Sequence, residues 1–158
     1  MENLKQLLTE KDTWNGAEGE NEGTPFLLRY RPYLHDFIET KKYNQRLTIL
    51  WGYESDNDSL MPSDEDMELM RSVEDSLVES LEDDLQAILA FVYLGQSQKE
   101  WHWYTSDIAE TGRRINEALS DFERLPIELS VEDDQEWSEY LSVLEGSDDS
   151  AYQDTEEE

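Results

Sequence analysis

Asp56-Asn57-Asp58 opens as a calcium-binding loop does, with oxygen ligands on alternate residues. Such a loop needs another oxygen ligand two residues on, then a glycine for the sharp turn. Leu60 and Met61 stand there instead, so the segment reads as a solvated acidic loop. His35 and His102 are the two histidines, and neither has a His or Cys neighbour at ligand spacing. A general acid needs a carboxyl raised by burial against an apolar wall. Glu100, beside Trp101, is the candidate with that setting; the plainer reading is a residue on a strand surface. The glycine cluster Gly16-Ala17-Glu18-Gly19 is too acidic to cradle a phosphate, because Glu20 and Glu22 follow it. Cysteine is absent, which excludes disulfides, thiolate zinc sites and thiol nucleophiles. No cofactor and no metal is called for, and the chain reads as a binding protein rather than an enzyme.

The chemistry that stands out is charge. The 158 residues hold 40 Asp+Glu against 12 Lys+Arg, a formal charge of −28. The stretch 54–84 has 13 acids and one base, Arg71, and the stretch 132–158 has 12 acids and none. Five bases fall between Arg29 and Arg46. A surface this negative repels nucleic acid, so direct contact with DNA or RNA is not expected. It can instead take the place of phosphate on a basic protein, with rows of carboxylates steering association. The expected partner is therefore a basic protein surface, such as a nuclease or another nucleic-acid-processing enzyme, and the expected role is inhibition, immunity or regulation. The carboxylates for this contact are Asp56, Asp58, Asp64, Glu65, Asp66, Glu68, Glu74 and Asp75, with Asp133 and Asp134 near the end. Trp101, Trp103 and Tyr104 are the aromatic anchors, available if one sheet face is open, and Trp137 is a further partner-binding residue near the end. The alternative is a structural or oligomerising domain that uses that aromatic face, with the charge serving only solubility.

These residues must be held by elements whose signals are local. Arg46–Tyr53 alternates Leu47, Ile49, Trp51 and Tyr53 with other residues, the period of a strand. Ser63 with Asp66 three residues on forms a helix start, and Met67, Met70, Val73, Leu77 and Leu81 follow as one apolar stripe. Residues 86–94 and 99–105 are strand-like runs joined by a short turn, which implies a hairpin. Asp107 starts a second helix striped by Ile108, Ile115, Leu119 and Phe122, and 127–131 alternates again. The order from 46 to 131 is βαββαβ, which predicts an α+β fold: a ferredoxin-like antiparallel sheet with two helices on one face.

The domains expected are an N-terminal extension over 1–45, the core over 46–144, and a disordered acidic tail over 145–158. Within the extension, 1–10 reads as a helix, 15–25 as a glycine-rich loop or turn, 25–31 as a strand and 33–42 as a short helix. Trp137, Tyr140, Leu141 and Leu144 predict a last helical turn or two. By alternation, Leu47, Ile49, Trp51, Trp101, Trp103, Ile127, Leu129 and Val131 share one sheet face. Thr48, Leu50, Leu89, Phe91, Tyr93, His102 and Tyr104 share the other, which residues 1–40 are expected to cover. No apolar run is long enough for a bilayer helix, so no membrane is expected and a reducing cytoplasm is the expected compartment.

The order of landmarks resembles a bacterial domain-of-unknown-function family, number 695. The resemblance rests on P-F-L-L-R-Y-R (25–31), L-T-I-L-W-G-Y (47–53), M-P-S (61–63), E-W-H-W-Y (100–104), R-L-P-I-E-L (124–129) and D-D-Q-E-W-S-E-Y (133–140). That family has no established activity, so the resemblance implies no catalytic residue. Its members are sometimes joined to a domain similar to a regulator of ribonuclease activity, which points the same way as the charge. The very acidic loop 54–66 and tail depart from the family's pattern.

Overall fold

The computed structural model describes residues 14–21, 24–53, 63–95, 97–120, 122, 125 and 127–144. The expected N-terminal helix over 1–10, the loop 54–62 with Asp56 and Asp58, and the acidic tail lie outside the described residues.

The elements are β1 (Asn15–Asn21), β2 (Thr24–Tyr30), α1 (His35–Glu39), β3 (Gln45–Gly52), α2 (Asp64–Glu82), β4 (Ala87–Gly95), β5 (Gln98–Thr105), α3 (Ile108–Ala118) and β6 (Ile127–Asp133). A last helix, α4, covers 138–144. Ser63 accepts from the Asp66 amide, and Asp107 from the Glu110 amide, so the two long helices begin where their caps predict. All strand pairs are antiparallel, in the order β1-β2-β4-β5-β3-β6.

Among the described residues the architecture is an α+β fold with a six-stranded antiparallel sheet and four helices. The expected four-stranded sheet with two helices is too small, because the β1–β2 hairpin pairs onto β4 and satisfies that strand's backbone groups. The glycine-rich segment is thus a strand rather than a loop. Gly19 is needed there: a Cβ would lie 2.7 Å from the ring of Phe26, its partner in the register.

Over the central strands β4, β5 and β3 both sheet faces are buried. On one, Leu47, Ile49, Trp51, Trp101 and Trp103 pack under the stripe Met70, Val73, Leu77 and Leu81 of α2, and Ile115 of α3. On the other, Ile88, Ala90, Phe91 and Tyr104 meet Phe37 of α1, Trp137 and Tyr140. The expected cover from residues 1–40 is therefore only part of that layer; the segment 137–144 provides the rest. A bulge at Ala90 breaks the alternation assumed for β4. Leu89 faces α2, whereas Ile88, Ala90 and Phe91 face the second layer.

Trp137 is the keystone of that layer. Its ring stacks on Tyr104 with centroids 3.9 Å apart, and its Nε1 donates to the Tyr43 carbonyl at 2.8 Å. It sits at φ 57°, a left-handed conformation that costs a non-glycine residue of order 1–3 kcal/mol, offset here by the buried stack. Tyr140 donates to the Arg31 carbonyl and accepts from the Leu34 amide, tying α4 to the chain before α1. The buried Arg31 guanidinium donates to both carboxylate oxygens of Glu82, at 2.6 and 3.1 Å, and to the Leu89 carbonyl. This pair pins the end of β2 to the end of α2 across β4.

Candidate functional site

The acids divide sharply by direction. Helical spacing sets Glu65, Glu68, Asp75 and Glu79 on the solvent side of α2, opposite the stripe that packs on the sheet. At ~1.5 Å of rise per residue, the row from Glu65 to Glu79 spans about 21 Å. Asp64 is exposed beside it, and Asp66 is half-buried. Among the described residues, none of these six side chains makes an ion pair. The inward acids differ. Glu74 takes hydrogen bonds from Arg29 and from the Trp101 indole, each at 2.8 Å. Glu82 is the buried partner of Arg31. Of the carboxylates expected to meet a partner, Glu74 is thus a structural group.

The second acidic block is also divided. Asp134 accepts from the Tyr104 hydroxyl at 2.6 Å and from the Ser138 and Glu139 amides, so it starts α4 rather than facing solvent. Asp133 is exposed and takes a hydrogen bond from Gln45. Its strand, β6, is three strand spacings from β4, about 14 Å, so the fold does not merge it with the α2 row.

The aromatic anchors are a correction. Trp101, Trp103, Tyr104 and Trp137 are all at most 1% exposed, because helices cover both faces of the sheet. Trp101 and Trp103 belong to the core under α2, Tyr104 and Trp137 to the layer on the opposite face, and none is placed to touch a partner from the surface.

Glu100 and His102 are woven into a hydrogen-bonded network. His102 stacks on Phe91, its Nε2 lies 2.9 Å from Glu100, and its Nδ1 faces Arg46 and Thr48 at 3.2 and 3.3 Å. The His102 hydrogen bond outweighs burial and holds the Glu100 carboxyl below its ordinary range, the reverse of what a general acid needs. His35 is exposed at the start of α1. Among the described residues, no three His, Asp or Glu side chains converge as metal ligands do, and no helix is long and apolar enough to cross a membrane.

The remaining cations are mostly answered by acids. Arg46 pairs with Glu132 and Asp134. Arg113 bridges Glu110 and Glu117, while Arg114 bridges Glu110 to Asp84 and so joins α3 to α2. Among the described residues these ion pairs do not reach the outward side of α2, which stays acidic. Comparison with curated proteins and with solved structures returned no match. A model of the Family of unknown function (DUF695) matches residues 12–145, most of the chain, and the chain belongs to that family.

Proposed function

We propose that this chain is an acidic protein-binding domain that docks the outward carboxylates of α2 on a basic protein surface. A nuclease or another nucleic-acid-processing enzyme is the natural target, held as by an inhibitor, immunity or regulatory protein. The sheet β3–β6 with α2 and α3 serves as a ferredoxin-like core that presents the row. The observation that carries the reading is the unanswered charge of Asp64, Glu65, Glu68, Asp75 and Glu79 on one rigid helix. Like charges at i,i+4 destabilise a helix by about 0.2–0.5 kcal/mol each, and two such pairs (Asp64–Glu68 and Asp75–Glu79) lie on α2. A partner's basic groups would offset that repulsion and speed association. The absence of cysteine fits work in a reducing cytoplasm.

The test is capture from native cytoplasm at low salt, followed by a salt gradient. A basic nucleic-acid enzyme should elute at a few hundred millimolar salt, and Glu65→Lys/Glu68→Lys should abolish its capture. A partner whose binding ignores salt, or survives that double change, would sink the proposal. A second reading is self-association, now through β6, the edge strand among the described residues, rather than the aromatic face. Leu129 and Val131 are 46% and 41% exposed on that strand. A salt-insensitive dimer by light scattering, broken by Leu129→Lys, would favour it.

A further inference from the structure

In a chain with 28 net negative charges, three cations gather in one groove. It lies between β2, β4 and α2 and holds about 380 Å³, within the range of small-molecule sites. Arg29 reaches it from β2, Arg71 from α2 and Lys99 from β5. These positions are far apart in sequence; the pairing of β2 with β4, and of β4 with β5, brings them together. On α2, Met67, Arg71 and Glu74 follow at steps of four and three, so one flank of the helix forms a wall.

The groove is built like a binding site rather than a surface accident. Lys99 is 8% exposed, yet no hydrogen bond ties its ammonium among the described residues. Its nearest carboxylate oxygen, on Glu74, is 3.8 Å away, and its other neighbour is the Trp101 ring at 5.0 Å. Glu74 is already shared with Arg29 and the Trp101 indole. Arg71 is exposed and has no carboxylate partner among the described residues. Three cations against one carboxylate leave two positive charges facing the cavity. The rest of the lining is aliphatic: Leu27, Met67, Val92 and Leu94. Leu27 and Met67 at its rim are 40% and 38% exposed, apolar surface left in water.

We propose that this groove binds a small organic phosphate, a dianionic head on Arg29, Arg71 and Lys99 with an apolar body against Leu27, Met67, Val92 and Leu94. Two positive charges match the dianion of a phosphomonoester. Guanidinium forks suit its oxygens, and a buried ammonium without a hydrogen-bond acceptor gains one. No base-reading or sugar-reading side chain lines the cavity, so the organic part is aliphatic. The site lies on the flank of α2, apart from its outward row, and does not depend on the docking proposal.

The experiment is calorimetric titration of the full chain with hexyl phosphate, inorganic phosphate and hexanoate. Hexyl phosphate should bind one to one, about tenfold or more tighter than either other probe, since each tenfold is only about 1.4 kcal/mol. Arg71→Gln, a surface change that leaves the core alone, should weaken it about tenfold, and Lys99→Met at least as much. No heat at millimolar hexyl phosphate, or binding untouched by both variants, overturns the site. Hexanoate binding as tightly overturns the dianion, and inorganic phosphate binding as tightly overturns the apolar body.

Discussion

Lys99 shows what a single residue can cost. Burial outweighs the pull of Glu74, and Arg29 and Arg71 add to the burial; together they bring its amine from 10.5 down to about 8. Between these values the unfolded chain holds a proton that the folded chain has released. Stability therefore rises with pH from about 8, and the proton's penalty is fully present at pH 7. Above 10 the tyrosines reverse the trend, since burial pushes Tyr53 up to about 12 and raises Tyr140 likewise. Urea midpoints should thus climb from pH 8 to 10 in the parent. Lys99→Met should be more stable than the parent at pH 7 and flat across that window. A parent curve already flat there would mean that the ammonium is well solvated. A buried cation that destabilises the fold is better explained by something it binds.

α2 shows the same tension at the scale of an element. Asp64, Glu65 and Asp66 in its first turn suit the positive end of the helix dipole, but its last turn carries no base. Glu79 stands near the negative end, whereas Glu82 and Asp84 are answered by arginines. Glu79→Lys removes the i,i+4 repulsion with Asp75 and favours the dipole. It should stabilise the protein by about 0.5–1 kcal/mol in chemical denaturation. The same variant should lose affinity for a basic partner. Lower stability instead would mean that Glu79 has a structural role and that the outward row is not held against the helix's own preference.

For the whole molecule, net charge competes with the core. Screening strengthens with salt, as the Debye length falls from about 30 Å at 0.01 M to about 8 Å at 0.15 M. The surface pairs of Arg113 and Arg114 weaken with salt, but the repulsion among the remaining acids weakens too and involves many more groups. The thermal midpoint should therefore rise with sodium chloride over this range. A falling midpoint would place the balance with the ion pairs. The two buried layers are what allow so charged a chain to stay compact: Trp101, Trp103, Trp137, Tyr104 and Tyr140 are each at most 1% exposed, and burying an aromatic removes roughly 150–250 Å² from water.

By itself the sequence determined the elements that depend on neighbours within a turn or a strand. Ser63 and Asp107 mark their helices because a cap bonds an amide three residues on. The alternation of Leu47, Ile49 and Trp51 marks β3 because successive strand residues face opposite ways. The motifs spread from Pro25 to Tyr140 likewise carried the family. Only the tertiary structure decided where each face points. The bulge at Ala90 moves Leu89 to the α2 side, a shift with no local signal. The pairing of β2 with β4 turns a glycine-rich loop into sheet, and α4 returns to close the second face over Tyr104. Charge alone cannot tell Glu74, Glu82 and Asp134, which hold the fold, from Glu65, Glu68 and Asp75, which face water. Nor can it place Arg29, Arg71 and Lys99 in one groove. Strand pairing between distant segments sets those positions, and it is governed by the burial of both sheet faces rather than by any local preference.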